Sequence, residues 1–367
     1  MKGNEISLPA ILKMPYIIDQ FTQLYPPKPH FTEKDLPSLY GKVYIVTGAS
    51  SGVGKDLSQL LYSKGAKVYV AARSHNKATK AINDIQKAVP SPGAGELVFL
   101  PLDLSDLATI DASAKQFLDR EEKLHVLFNN AGVMNPPPGS KTAQGYELQL
   151  GVNCIGPYLF TKLLTPTLVR TAKTEPAGTV RVVWVSSIAI EGGFSLKGGV
   201  DMDNLDYHKE VPAGIPYAIS KAGMFFHGTE YAKRFKADGI VSVPLNPGIL
   251  DSPLWRRQGK VANFIFKTLL FHPTMFGAYT ELFAGLSPDV TMERSGQWGK
   301  RHSTWETLMM EKFELTLPTY SLVIPWGRFK PVRADLLAAS RSTTEPGGTG
   351  TAEKFWEWTE EQIRKYL

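Results

Sequence analysis

The 367-residue chain predicts a doubly wound α/β fold around a parallel sheet, one domain carrying a C-terminal extension. Short apolar, β-branched runs recur at 43–47, 67–72, 97–102, 125–129, 181–186 and 240–245. Helix-length segments separate most of them, among them 54–64, 76–88 and 106–120. A glycine-rich turn, "TGASSGVG" at 47–54, stands between the first run and the first helix. Strands alternating with helices at this spacing read as βαβ units. Right-handed crossovers then place a ligand crevice at the carboxyl ends of the strands. "SPGAG" at 91–95 and "NPPPGS" at 135–140 are expected loops. Residues 1–40 read as a proline-bearing leader packed on the body, 41–255 as the nucleotide-binding core with the catalytic residues, and 256–367 as a substrate-binding extension of the same domain.

Composition narrows the function classes. Hydrophobic content of 43% and charged content of 21% are ordinary for a globular protein, and the net charge of +6 is mild. No dense Lys/Arg block with interleaved aromatics appears, so no nucleic-acid partner is expected. A single cysteine, Cys154, excludes an internal disulfide and a cysteine-based metal site and fits a reducing compartment. The histidines show no ligand spacing; His208 and His227 read as surface or packing residues, and no metal is expected. No run reaches the ~18 apolar residues of a membrane span; 1–25 and 261–271 read as stretches buried against the protein's own core, with a membrane surface as the alternative. A cytoplasmic location is the default expectation, and a homo-oligomer is compatible with the sequence.

The glycine turn admits two chemistries. A phosphate-hydrolase loop needs G-x-x-x-x-G-K-[ST]. Aligned on Gly54 and Lys55, its first glycine falls on Ala49 and its magnesium-binding hydroxyl on Asp56, whose carboxylate would repel phosphate. The other spacing, T-G-x-x-x-G-x-G, is met by Thr47, Gly48, Gly52 and Gly54. Gly48 lets the chain turn off the strand, Gly52 lets backbone N–H groups approach a pyrophosphate, and Gly54 lets the helix pack closely. This element resembles the cofactor signature of the short-chain dehydrogenase/reductase family. The resemblance implies that Ser50, Ser51 and Val53 line the cofactor together with these glycines.

The second strand ends in Ala72 and Arg73 with no carboxylate. An acidic residue there would bind the ribose 2′-hydroxyl of NAD, whereas a cation suits the 2′-phosphate of NADP. Arg73 can bind that phosphate bidentately, so NADP(H) is the expected cofactor, with Lys77 assisting. The family pattern further places Asp103 and Leu104, after the third strand, at the adenine. The "NNAG" element after the fourth strand implies that Asn130, Ala131 and Gly132 line the cofactor.

"PYAISKAG" spaces Tyr217 and Lys221 by four, on one face of a helix. A free tyrosine titrates near 10; a neighbouring ammonium is expected to lower that value. By resemblance, Ser187 at the end of "VVWVSS" is the catalytic serine and Asn153 in "GVNCIGPYLF" holds a relay water near Lys221. Lys162 either reaches the cofactor or faces solvent. "NPGILDS" resembles the family's next element, so Pro247, Gly248 and Ile249 are expected to fix the nicotinamide face, with Ser252 in place of the usual threonine.

Together these features imply an oxidoreductase that moves hydride between nicotinamide and a carbonyl or secondary alcohol. The apolar stretch 254–286 reads either as the pocket for a medium-sized apolar small-molecule substrate or as a plain core helix. The competing reading is a non-catalytic NADP-binding regulatory or scaffold protein; loss of the serine, tyrosine or lysine would favour it, and all three are present. The family resemblance spans about 41–255. "GGVDMDNLDYHKE", "VIPWGRFKPVRADLL" and "EKFWEWTEEQI" are similar to the retinol-dehydrogenase-like and WW-domain-oxidoreductase-like branch, especially fungal reductases of secondary metabolism. Segment 296–320 reads as an insertion relative to that branch: a substrate lid, an oligomer contact or an artefact of gene prediction.

Overall fold

The computed structural model describes residues 22–89, 95–192, 195–257, 270–293, 295 and 321–367. The expected loop at 91–95 falls mostly outside the described residues. So do the insertion at 296–320, most of 261–271 and the start of the leader.

The alternation of the sequence becomes β1 (Val43–Thr47), α1 (Gly52–Ser63), β2 (Lys67–Ala72), α2 (His75–Ala88), β3 (Glu96–Pro101), α3 (Leu107–Leu118) and β4 (Val126–Asn129). Local chemistry sets the helix starts: Ser74 accepts from Lys77 N at the head of α2, and Asp106 from Ala108 N at the head of α3. A one-turn helix at Leu148–Leu150 and a π-helical turn at Gly151–Ile155 lead into α4 (Gly156–Ala172). Then follow β5 (Arg181–Val185), α5 (Ile215–Phe235), β6 (Val241–Leu245), α6 (Thr274–Leu286), β7 (Ser321–Ile324), β8 (Arg328–Pro331), α7 (Ala334–Ser340) and α8 (Thr351–Ile363).

The strands form one sheet in the order β3-β2-β1-β4-β5-β6-β7-β8. All pairs are parallel except β7 with β8. The chain runs outward from β1 to β3, then returns to lay β4 on the other side of β1. That reversal opens the crevice at the carboxyl ends of β1 and β4.

Period-2 alternation sends successive side chains to opposite faces, and each face is covered. Val43 and Ile45 join the core under α3, α4 and α5, whereas Tyr44 and Val46 join the core under α1 and α6. Burial on both faces explains the unbroken apolar strands.

The described part of the leader contributes Phe31, Leu36 and Leu39 to the α1–α6 core. Phe31 meets the ring of Phe283 edge-on, with centroids 6.0 Å apart. At the far end, α8 lies across α4 and α5. A Cβ on Gly223 would fall 2.8 Å from the Phe355 ring, so glycine there admits the phenyl group.

One strand differs from expectation. "SLVIPWG" ends as a strand at Ile324, because Trp326 and Gly327 adopt φ of 65° and 83° and turn the chain back. The returning β8 was not expected, since "RFKP" has no apolar alternation to announce it. Among the described residues no helix is long and apolar enough to cross a membrane.

Candidate active site

The turn after β1 is shaped by close approach. Gly48 has φ 70°, and a Cβ there would lie 2.9 Å from Ala131 Cα. A Cβ on Gly54 would fall 2.5 Å from Asn130 Nδ2 and 3.1 Å from Ala49 Cα. Asn130 Nδ2 donates to the Thr47 carbonyl at 2.7 Å, and Ala131 N donates to Thr47 Oγ1 at 2.9 Å. The "TGASSGVG" and "NNAG" elements therefore form one unit across the switch point. Ser51 precedes α1 and makes no side-chain cap, so the first-turn N–H groups of the helix are not taken up by that hydroxyl. A cradle that side chains would fill, opening on helix N–H groups, fits a pyrophosphate. Across it stands the loop after β6: a Cβ on Gly52 would lie 3.6 Å from Ser252 Cβ.

Lys55 is no phosphate ligand here; its ammonium pairs with Asp84 of α2 at 2.9 Å. Asp56 accepts from Thr274 Oγ1 at 2.6 Å and joins α1 to α6. Arg73 is exposed at the end of β2, immediately before the cap of α2. Asp103 is half-buried and receives Ser105 N at 2.9 Å and Ser105 Oγ at 2.6 Å, while Leu104 is buried against Gly156.

The π-helical turn carries Asn153, wholly buried. Its Oδ1 accepts from Val133 N at 2.7 Å, and its Nδ2 donates to the Val133 carbonyl at 2.9 Å and to Ser220 Oγ at 3.0 Å. The amide thus pins the loop after β4 to α5. The two serines ending β5 divide their work. Ser186 Oγ donates to the Lys221 carbonyl at 2.7 Å and docks α5, whereas Ser187 is half-buried and lies beside Tyr217.

Lys221 Nζ donates to the Val185 carbonyl at 2.8 Å and stands 5.8 Å from the centroid of the Tyr217 ring. It also lies 3.5 Å from where a Cβ on Gly132 would sit. Burial lowers the Lys221 amine to about 8. Tyr217 corrects an expectation. Burial pushes its phenol up to about 12, and the hydrogen bond with Ser187 offsets this only in part. Lys221 Nζ, 5.8 Å from the ring centroid, adds no lowering to these two effects.

Lys162 points to the outer layer, paired with Glu360 of α8 at 2.7 Å. Sequence reasoning missed Glu281 of α6. It is fully buried, neither carboxylate oxygen has a hydrogen-bond partner among the described residues, and burial pushes it up to about 8 against the pull of Lys221. Its one signal was being the only charged residue in "TMFGAYTELFAGL". Also missed was Glu191, just past Ser187, which forms a buried pair with Lys330 of β8 at 2.8 Å. In the stretch proposed for substrate, the Trp255 and Phe271 rings lie 4.9 Å apart.

Comparison with known proteins identifies the family and the fold. The short chain dehydrogenase family profile matches residues 42–197. A short-chain dehydrogenase/reductase of Phomopsis amygdali is 51% identical over 349 residues, covering 95% of this chain and 97% of its own. Another, from Neocamarosporium betae, is 45% identical over 354 residues, covering 96% of this chain and 94% of its own. Two solved structures share the fold at lower identity. The 3-ketoacyl-(acyl-carrier-protein) reductase of Brucella melitensis, complexed with NADH, gives a TM-score of 0.54 at 22% identity, over 70% of this chain and 96% of that one. The Pseudomonas aeruginosa RhlG/NADP active-site complex gives 0.54 at 22% identity, over 72% of this chain and 96% of that one. These likenesses speak for family and fold; they do not single out the retinol-dehydrogenase-like branch.

Proposed function

The chain belongs to the short-chain dehydrogenase/reductase family, and from that premise we propose that it is a cytoplasmic NADP(H)-dependent oxidoreductase working between a carbonyl and a secondary alcohol on a medium-sized apolar substrate. The observation that carries the proposal is the meeting of Ser187, Tyr217 and Lys221 at the carboxyl end of β5.

When bound, the nicotinamide dinucleotide supplies or accepts the hydride. The protein's part is binding, orientation and proton handling. The turn at Gly48–Gly54 holds the pyrophosphate, with Ser50, Ser51 and Val53 on its rim. Arg73 takes the 2′-phosphate, Asp103 and Leu104 border the adenine, and Asn130, Ala131 and Gly132 line the floor. Pro247, Gly248, Ile249 and Ser252 hold the nicotinamide side.

Tyr217 gives its proton to the oxygen of a carbonyl substrate; burial keeps the phenol protonated at neutral pH and makes it a weaker acid than free tyrosine, so the alkoxide formed must be stabilised as the proton leaves. The Ser187 hydroxyl donates to the same oxygen and orients it. Lys221, beside Gly132, passes to Tyr217 a proton taken up from solvent through a water at Asn153, whose amide also holds that end of α5 in place.

The experiment is cofactor oxidation by the purified protein against ketones, quinones and aldehydes, with NADPH and NADH in parallel. Turnover of apolar ketones with NADPH preferred is expected. Failure to bind either dinucleotide would end the redox reading; equal use of both would end the assignment of Arg73.

A further inference from the structure

Three stretches outside the alternating core converge on the loop that follows β6. From the leader, the nearly fully buried Gln23 accepts from Asn246 Nδ2 at 2.9 Å. Just before α6, His272 N donates to the Ile249 carbonyl at 3.0 Å, and the His272 carbonyl accepts from Asp251 N at 2.9 Å. The third stretch is the turn between β7 and β8, which brings Trp326.

Trp326 has φ 65°, a left-handed conformation that strains a bulky residue and persists only where surroundings enforce it. Its backbone N–H donates to Thr280 Oγ1 at 3.1 Å. The indole is 3% exposed. It meets the His272 ring edge-on at 5.2 Å and lies tilted on Phe276 at 5.1 Å. Its outer edge reaches Gly248, where a Cβ would lie 3.1 Å from Cζ3 and 3.2 Å from Cη2. Gly248 itself sits at φ 98°. Glycine is therefore favoured there twice, for its left-handed backbone angle and because a Cβ would crowd the indole by a few tenths of an ångström.

We propose that Trp326 is a positioning residue whose indole fixes the backbone of Gly248, and through it the surface of loop 247–249 that holds the nicotinamide ring. The inference rests on the redox reading above for the role of that loop. It gives the C-terminal hairpin control over the nicotinamide half of the cofactor. The adenosine half, held at the Gly48–Gly54 turn and Arg73, lies outside its reach.

Calorimetric titration with NADPH and with 2′-phospho-ADP-ribose separates the two halves, because the fragment keeps the pyrophosphate and lacks nicotinamide. Trp326→Gly removes the indole while suiting the left-handed backbone, and Trp326→Phe retains a ring. In Trp326→Gly the Kd for NADPH should rise about tenfold or more, with the fragment within about twofold. Trp326→Phe should restore most of the loss. Equal weakening of both ligands, or of neither, overturns the proposal. Hydrogen exchange on the wild type supplies a test that no folding failure can block. NADPH should slow exchange in 247–252 and 325–328 together, and the fragment in neither. Protection of the loop with an unchanged hairpin also overturns the proposal. Wild-type protein that binds neither NADPH nor NADH would overturn the redox reading first, a result separate from anything the variants show.

Discussion

Lys221 Nζ donates to the carbonyl of Val185 at 2.8 Å, two residues before Ser187, so one strand end holds both the ammonium and the serine. The contact satisfies the ammonium within a buried site, yet the amine is still lowered from 10.5 to about 8 by burial. Between those values the unfolded chain binds a proton that the native state lacks, so this lysine makes stability rise with pH from about 8 to 10.5. Below 8 the native state carries the full cost of the buried charge, about 3 kcal/mol. In Lys221→Met that contribution to the slope should vanish. Urea unfolding of both proteins at pH 7.5 and pH 10 measures it, and parallel changes in the two would contradict the assignment.

Tyr217→Phe keeps the ring and removes the proton donor. Turnover should fall by about 10²–10⁴, the usual range for a general acid. NADPH affinity should stay within about twofold, since the phenol is assigned to substrate oxygen. Retained turnover would remove Tyr217 from the chemistry.

Arg73 is exposed at the end of β2. A charge-assisted hydrogen bond there is worth about 1.5–3 kcal/mol. Arg73→Ala should therefore raise the KM for NADPH roughly ten- to a hundredfold and leave NADH nearly unchanged. A matching loss with NADH would show that Arg73 acts on something other than the 2′-phosphate.

Glu281 titrates in the opposite sense to Lys221. Its native value is raised from 4.5 to about 8, so between those values the native state holds a proton that the unfolded chain has released. Stability contributed at this site falls as pH rises through that window. Glu281→Gln should match the wild type near pH 4.5 and exceed it above pH 8, by about 5 kcal/mol as an upper figure. Denaturation midpoints at pH 5 and 8.5 check this; a constant offset between the two proteins would exclude a titrating carboxyl.

Much of the fold was legible because its signals are local. Parallel strands buried on both faces must be continuous apolar runs, and β1, β2, β4, β5 and β6 appear within a residue of their expected places. The turn at Gly48–Gly54 was legible because backbone angle and close approach leave glycine no substitute. What escaped depends on contacts between distant segments. β8 is a strand only because Trp326 and Gly327 reverse the chain onto β7. The helical spacing of Tyr217 and Lys221 placed them on one face but could not show that Val185 would engage the ammonium. Lys162 carries no local mark of its partner Glu360, nearly two hundred positions further along.

Among the described residues, β8 also forms one margin of the sheet, and such margins invite strands from other chains. This one is ill suited to that. Its four residues include Arg328 and Lys330, and Pro331 has no N–H to offer a newcomer. Lys330 is turned inward to Glu191, so flattening the strand to extend the sheet would strand a buried carboxylate without its cation. The hairpin that reaches Gly248 therefore also resists edge-to-edge aggregation.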